Sequence, residues 1–210
     1  MDAASGRVPD YAGTGANTTR EAMALTLMAE QSGVDAISAI TPSLISPGQD
    51  ELYDQYQWVA AATKLPILLS SNPARTGSSI SASLAAKLSH VENVVGIKNS
   101  SGDLSLTSAY IAATSGGFKA FATRDTLIFD TLLYGRAGAA ATTADVAAKQ
   151  IVRTYEAYPA GDISLARTVQ AELIPVREAF SPGAFPAVIK ETLTNAGPGR
   201  PGHADVLSAH

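Results

Sequence analysis

The sequence predicts a parallel α/β fold of the TIM-type (β/α) barrel class, shortened at its N-terminus to about six of eight strands and followed by C-terminal helices. Two observations predict it. Short β-rich runs alternate with longer helical runs, and most strand starts lie nearly thirty residues apart. Such alternation is typical of right-handed βαβ units and a parallel sheet, and a barrel of ~250 residues has units of this size.

Six strands are predicted at residues 7–12, 35–40, 66–70, 94–98, 119–123 and 137–142. Helices are predicted at residues 19–32, 50–63, 81–88, 104–114, 126–134 and 146–158. Polar residues typical of helix caps, Asn17 and Thr18, precede the first helix, and Gly33 follows its end. The boundaries of that first helix are therefore supported by local chemistry as well as by alternation.

The pattern changes after Tyr158, where a Pro-Ala-Gly-Asp segment interrupts the alternation. We expect residues 1–158 to form the partial barrel and residues 159–196 a helical extension, with helices at 163–180 and 185–195. The last residues, 197–210, are rich in glycine and proline and are predicted to be a loose tail.

Composition excludes several classes of protein. The net charge of −4 disfavours a nucleic-acid partner, and the absence of cysteine excludes disulfides and thiolate metal sites. Two of the three histidines, His203 and His210, lie at the end of the chain, which disfavours a histidine metal site, and a carboxylate-only metal site, although open, has no visible cluster. We expect no metal and no cofactor. No stretch has the apolar length of a membrane span or the pattern of a signal peptide. We expect a cytoplasmic protein without a membrane partner.

Lys98 is the strongest candidate for chemistry. It ends the apolar run VVGI, and alternation puts Val94, Gly96 and Lys98 on one face of the predicted strand. Active sites of these barrels gather at the C-terminal ends of the strands. Partial loss of solvent there lowers the pKa of a lysine and leaves more of it as the neutral, nucleophilic amine. The alternative is a lysine that leaves the sheet and reaches water.

Other segments have weaker signals. Arg75 follows the third predicted strand, where its guanidinium suits a substrate carboxylate, but it also suits a structural loop. The glycine-containing segment 13–17 lacks a phosphate-loop pattern and favours a turn or packing role. The alanine-rich strand 137–141, followed by Thr142 and Thr143, suits a narrow rim or simple barrel packing.

Two further patterns are interpreted without chemistry. A Ser-His-Asp triad is disfavoured because His90 follows a predicted helix, on the side opposite to the expected site. Tyr53, Tyr56 and Trp58, which lie on one predicted helix, are interpreted as packing residues.

Several motifs, in order along nearly the whole chain, resemble the dihydrodipicolinate synthase and N-acetylneuraminate lyase family of class I Schiff-base aldolases. Residues 94–104, VVGIKNSSGDL, are similar to its Schiff-base segment, and residues 65–77 resemble the preceding strand and loop. Residues 12–17, AGTGAN, match its third-strand motif. Residues 124–126 and 185–191 resemble a bacterial, synthase-like branch.

The resemblance implies a class I mechanism. Lys98 would form an imine with pyruvate or a related 2-oxo acid, giving an enamine that bonds to or is released from an aldehyde. Arg75 would bind the carboxylate of the second substrate. Ala140 matches a position that lines the imine pocket, and Thr123 lies where the family has a small residue near it. A dimer or tetramer is also implied, and an open barrel leaves sheet edges unpaired.

The sequence departs from the family at three places. Ser70 occupies the place of the family's proton-relaying tyrosine, and Ser43 and Leu44 replace an aromatic pair. The loop that holds the pyruvate carboxylate has no equivalent before Arg7. Three interpretations therefore stay open: a synthase-like enzyme, a sugar-acid or N-acetylneuraminate-type aldolase, and a degenerate barrel that binds a 2-oxo acid or only assembles with partners.

Overall fold

The computed structural model describes residues 6–114, 116–135, 137–180, 183 and 186–196, and the chain divides into two compact units, Met1–Phe121 and Ala122–His210. The predicted tail lies outside the described residues. The compact units are divided between Phe121 and Ala122. The predicted boundaries at residues 158 and 196 stay predictions.

The N-terminal unit alternates strands and helices as the sequence predicts. Its strands are β1 (Tyr11–Gly13), β2 (Ala36–Ile40), β3 (Ile67–Ser71), β4 (Val94–Asn99) and β5 (Lys119–Ala122), of which the last residue belongs to the next unit. Its helices are α1 (Thr19–Gln31), α2 (Gln49–Ala61), α3 (Pro73–Thr76), α4 (Ala82–Leu88) and α5 (Leu104–Ala113).

The C-terminal unit is mostly helical. It contains a 3-10 turn (Asp125–Leu127), α6 (Ile128–Leu133), β6 (Gly138–Ala139), α7 (Ala144–Ala157), α8 (Ile163–Ala179) and α9 (Ala187–Ala196). The two helices predicted after Tyr158 are confirmed as α8 and α9, although the start of the second prediction, Phe185, lies outside the described residues.

Side-chain caps fix the starts of several helices. The Thr18 hydroxyl accepts the Glu21 amide at 3.2 Å ahead of α1, and the Ser81 hydroxyl accepts the Leu84 amide at 3.1 Å ahead of α4. The Asp103 carboxylate accepts the Ser105 amide at 2.7 Å ahead of α5. Each cap satisfies a backbone donor that the first turn leaves unpaired.

Most element boundaries lie within two residues of the prediction, and two strands and one short helix depart from it further. β1 begins only at Tyr11, because Pro9 has no amide donor and the Asp10 amide is bonded to the Asp35 carboxylate at 2.7 Å. β6 is only two residues long, because the Ala141 carbonyl accepts the Ala144 amide and the chain turns towards α7. The short helix α3 was predicted as loop.

The strands of the N-terminal unit lie in sequence order, and β1–β2, β2–β3 and β3–β4 pair in parallel. Ile67 pairs with Val94, but Leu68 pairs with Gly96, so Val95 is an extra residue on β4. The prediction that Val94 shares a face with Lys98 is therefore wrong. Val94 packs in the same apolar cluster as Ile97.

Outward-facing strand residues and the covering helices form the core of the N-terminal unit. β2 to β4 contribute Ile37, Ala39, Ile67, Leu69, Val94 and Ile97 to a single cluster with helix residues that include Leu52, Tyr56, Leu84 and Tyr110. Tyr56 donates from its hydroxyl to the Ala39 carbonyl at 3.3 Å. The opposite surface of the sheet, which we call the inner face, comprises on β2 to β4 the residues Ala36, Ser38, Ile40, Leu68, Ser70, Gly96 and Lys98.

The described part of the C-terminal unit has two smaller apolar clusters, one around Leu173 and one around Ala166. A buried polar link joins its elements. The side-chain oxygen of Gln170 accepts the Phe129 N–H at 2.8 Å, and its side-chain nitrogen donates to the Asp125 carbonyl at 2.7 Å. The Asp125 carboxylate, 1% exposed, accepts the Thr143 amide at 3.1 Å and lies 3.5 Å from the Arg177 guanidinium.

One packing assignment needs correction. Tyr56 is buried and Tyr53 packs against the core, but Trp58 on the same helix is 60% exposed. Trp58 lies off the buried stripe of α2, which Leu52, Tyr56 and Val59 define at helical spacing. Among the described helices, none is both long and apolar enough to cross a bilayer.

Candidate active site

Lys98 is the penultimate residue of β4, on the inner face of the sheet. Its backbone partner on β3 is Ser70, whose partner on β2 is Ile40. The three residues form one row across the C-terminal ends of the strands, where active sites of (β/α) barrels form. Gly96 lies one row below, where a Cβ would collide with the Lys119 carbonyl oxygen and press on Leu68. Glycine is therefore required there for close approach of β5.

The Lys98 side chain is half-buried. Burial lowers the pKa of Lys98 from its usual value because the charged ammonium loses solvation. More of the amine is therefore neutral at a given pH than for a lysine in water. A neutral amine attacks a carbonyl carbon, whereas an ammonium does not.

Ser70 is 3% exposed, so its hydroxyl lies inside the unit beside the strand that carries Lys98. The hydroxyl of serine is a weak acid and a weak base near neutral pH, in contrast to the groups that usually transfer protons in enzymes. The Ser70 position therefore offers hydrogen bonding and little acid–base capacity.

Asn99 and Ser71, the next register pair, lie on the helix-facing side and hold the loops that leave the two strands. The Asn99 amide donates to the Thr107 hydroxyl at 2.6 Å, and its oxygen accepts the Ser101 amide at 3.1 Å. The Ser71 hydroxyl accepts the Ile80 amide at 3.2 Å. The sequence analysis missed both residues, although polar residues on the core side of a buried strand are the signal that identifies them.

Arg75 lies on α3, directly after β3, and its side chain is exposed. The loop after β4 lies beside this strand end, because the Ser100 amide donates to the Ser71 carbonyl at 2.8 Å. Arg75 and Lys98 therefore leave the sheet from neighbouring strand ends of the same unit.

A hydroxyl network fixes the turn that carries Arg75. The Thr41 and Thr76 hydroxyls are hydrogen-bonded at 2.8 Å, and the Thr76 hydroxyl donates to the Asn72 carbonyl at 3.1 Å. Gly77 ends the turn with a positive φ of 74°, a conformation that favours glycine. This network connects the loops after β2 and β3, so the backbone of Arg75 is rigidly positioned.

Thr123 and Ala140 lie together in the C-terminal unit. Thr123 is half-buried and directly follows β5, and Ala140 is exposed and directly follows β6. The Ala140 amide donates to the Ala122 carbonyl at 2.7 Å. The two residues that the family resemblance selected thus occupy adjacent strand ends.

Residues 13–17 make structural contacts, in keeping with the predicted packing role. Gly15 lies against Ile40, whose backbone and side chain would collide with a Cβ at this position. The Asn17 side-chain oxygen accepts both the amide and the hydroxyl of Ser43, at 2.8 and 2.9 Å. Asn17 thereby holds the loop that presents Leu44.

Other chemical features of the described part of the chain do not compete with Lys98. It contains no group of three or more His, Asp or Glu side chains placed to hold a metal ion. A groove of about 630 Å³ lies between α2 and the loop before β4, lined by residues that include Trp58 and Asn93. This groove borders the N-terminal end of β4, away from the strand end that carries Lys98, so we assign it no part in catalysis.

The parallel strands, laid out in sequence order with helices between them, define a protein of the (β/α)-barrel class. The sequence profile of the Dihydrodipicolinate synthetase family matches residues 1–203. The chain belongs to this family.

Curated relatives support the assignment. The 4-hydroxy-tetrahydrodipicolinate synthase of Methanopyrus kandleri is 35% identical over 198 residues, which cover 94% of this chain and 66% of the relative. The enzyme of the same name from Saccharophagus degradans is 34% identical, with 94% and 68% covered. The chain thus spans about two thirds of the length of these relatives.

Solved structures confirm the predicted fold class, a (β/α) barrel shortened to six strands. Dihydrodipicolinate synthase from Thermotoga maritima superposes with a TM-score of 0.89 at 26% identity, covering 98% of this chain and 75% of that one. The chloride-inhibited synthase from Acinetobacter baumannii, complexed with pyruvate, has a TM-score of 0.88 at 31% identity, with the same coverage.

Proposed function

We propose that this protein is a lysine Schiff-base lyase or synthase that acts on pyruvate or a related 2-oxo acid and an aldehyde, most like 4-hydroxy-tetrahydrodipicolinate synthase. The single observation that carries the proposal is the half-buried Lys98 amine, with a lowered pKa, at the C-terminal end of a parallel barrel strand. Relatives of this name and a pyruvate-bound structural neighbour support the choice of substrate.

Lys98 is proposed as the catalytic residue that attacks the ketone carbon and releases water to give the imine. The protonated imine then draws electrons from the adjacent carbon. Ser70 is proposed to hold a water beside the reacting atoms, because its own hydroxyl is a poor proton carrier. Arg75 is proposed to bind the aldehyde's carboxylate, and the roles that the family resemblance implies for Thr123 and the Ala140 backbone stay predictions.

Imine chemistry is tested by incubating the whole chain with pyruvate and sodium borohydride, followed by peptide mass analysis. The expected result is a reduced pyruvate adduct on Lys98, absent in Lys98→Met and retained in the exposed-lysine control Lys64→Met. An unmodified Lys98 would contradict the proposed enzyme activity and would favour the degenerate barrel without turnover.

The weak acid–base capacity at Ser70 makes a second, independent test possible. Ser70→Tyr supplies a phenol at the register partner of Lys98. If proton transfer limits the reaction, aldol turnover should rise, by about 10²-fold or more. Ser70→Ala is the matched control, and it should lower or preserve turnover.

A second candidate function, a barrel that binds a 2-oxo acid or assembles without turnover, is favoured by the loop after β2. Leu44 is 93% exposed with a positive φ of 71°, and Ile45 is 71% exposed. A bulky apolar pair at a strained tip suits burial against another subunit.

For both candidate functions we propose that the protein assembles as a homo-oligomer, a dimer or a tetramer. We also propose that it is cytoplasmic. Sedimentation of the whole chain and of Leu44→Asp tests this association. We expect an oligomer that the substitution weakens, and a monomeric parent chain would contradict it.

A further inference from the structure

We propose that the protein also decarboxylates 2-oxo acids that carry a second carboxylate on the neighbouring carbon, with oxaloacetate as the simplest example. This activity rests on the proposed function, because both require an imine on Lys98. It differs from aldol chemistry in the bond that breaks and in what the protein must supply.

The inner face of the sheet supports this inference by its composition. Lys98 is the one titratable side chain on the inner face of β2, β3 and β4; the other residues there carry hydroxyl groups, hydrocarbon or hydrogen. Ser70, beside Lys98, contributes only a hydroxyl. These strands thus combine an amine nucleophile with no carboxylate, imidazole or phenol to act as its acid–base partner.

Aldol chemistry from pyruvate is slowed without such a partner, so the proposed function relies on a water at Ser70 for its proton transfers. A proton must leave the methyl carbon before carbon–carbon bond formation, and in the reverse direction a proton must leave a hydroxyl. Loss of carbon dioxide from a β-oxo acid needs neither step, because its carboxylate is already ionised at neutral pH. The same enamine then forms without a protein base.

Each step balances. The neutral Lys98 amine adds to the ketone and expels water, and the imine takes a proton. The bond between the third carbon and its carboxylate breaks, carbon dioxide leaves, and the electron pair forms the enamine. The third carbon takes a proton from water, and hydrolysis returns pyruvate and the free amine. One proton is consumed overall for each carbon dioxide released.

The apolar neighbours of Ser70 and Lys98 favour this step. Ile40 is the register partner of Ser70, and Leu68 lies one row below, and both side chains are partly buried. A carboxylate placed against these hydrocarbon groups loses solvation, whereas the carbon dioxide that replaces it is neutral. Low polarity therefore raises the free energy of the reactant relative to the transition state, in which the charge is already dispersed.

The test uses the whole chain with oxaloacetate in the presence of a chelator, because free metal ions also decarboxylate this compound. Pyruvate formation is followed for the parent chain, Lys98→Met and Lys64→Met. The parent and Lys64→Met are expected to be at least about tenfold faster than Lys98→Met. Lys98→Met also changes the packing of a buried row, so a second measurement uses parent protein in which pyruvate and borohydride have already blocked Lys98. Its rate of decarboxylation should fall to that of Lys98→Met.

The outcomes separate this proposal from the proposed function. A borohydride adduct on Lys98 without accelerated decarboxylation overturns the decarboxylase and leaves the imine-forming lyase in place. Absence of the adduct overturns both. Decarboxylation that persists after Lys98 is blocked assigns it to other amines and overturns the proposal. Ser70→Tyr should raise aldol turnover more than decarboxylation, and an equal rise in both would show that decarboxylation also needs a base.

Discussion

The two compact units of this chain are stabilised in different ways. Among the described residues of the N-terminal unit, 18 buried residues form one apolar cluster between the strands and their helices. In the described part of the C-terminal unit, the buried clusters contain four and three residues, and hydrogen bonds from Gln170 and Asp125 connect the elements. Strand position is thus set by packing in the first unit, and by packing together with a polar link in the second.

The difference bears on the candidate site. Lys98, Ser70 and Arg75 belong to the unit with the large core, where packed strands hold the proposed nucleophile. Thr123 and Ala140 belong to the unit with the small cores, where loops are held by individual hydrogen bonds. Packing defects should therefore affect the first group most, and loss of single polar groups should affect the second.

The largest expected effect comes from matched core deletions. Leu69→Ala should lower the free energy of unfolding by about 4 kcal/mol and Leu173→Ala by about 3 kcal/mol, because the larger cluster relaxes less around a cavity. Both leucines are fully buried, so the substitutions are equivalent in chemistry. Urea denaturation measures both. A greater loss for Leu173→Ala would reverse the comparison.

The next effect concerns the polar link. Gln170→Leu leaves the Phe129 amide and the Asp125 carbonyl without their partner, which should cost about 2 kcal/mol. Gln55→Leu is the control, at a buried glutamine of the N-terminal unit that packs in the α2 stripe, and should change stability by less than about 1 kcal/mol. Equal losses in thermal or urea unfolding would mean that the link is not special to the C-terminal unit.

Lys98 is a partly buried, ionisable residue in a unit that is stabilised mainly by apolar packing. Its ionisation predicts that the free energy of unfolding depends on pH. Its pKa is lowered in the folded state, so the unfolded chain binds more protons between that pKa and the usual value of about 10.4. Stability from this group therefore rises with pH across the window, and the cost of the buried charge is fully present below it.

Lys98→Met removes that cost. The variant should gain stability over the parent chain most at about pH 7, and the gain should shrink towards about pH 10. Urea titrations at several pH values measure the difference. Lys64→Met, at an exposed position, should show no such trend. A gain that does not depend on pH would mean that packing of the methionine, and not the charge, is responsible.

The smallest effect is expected on the exposed surface of α2. Trp58→Gln should change the free energy of unfolding by no more than about 0.5 kcal/mol, because its side chain packs little in this unit. Tyr56→Phe, on the same helix, should cost about 1 kcal/mol through loss of the bond to the Ala39 carbonyl. A larger loss for Trp58→Gln would indicate that another subunit covers this face.

Alternation and local chemistry were enough to predict six strands, the helices between them and the placement of Lys98 at a strand end. Periodicity reports which residues avoid water, and caps such as Thr18 report where helices start, so both are legible in a linear chain. The family resemblance added the expected activity and further candidate site residues, which periodicity alone does not contain.

Tertiary structure decided what depends on contacts between distant segments. Because Val95 is an extra residue on β4, the Val94 side chain faces the core, whereas simple alternation predicted the opposite face. Strand register is set by the partner strand and not by local alternation. Trp58 is exposed and Asp125 is buried because neighbouring elements determine which side chains are covered. The lowered pKa of Lys98 likewise comes from the atoms packed around it, which the chain assembles only on folding.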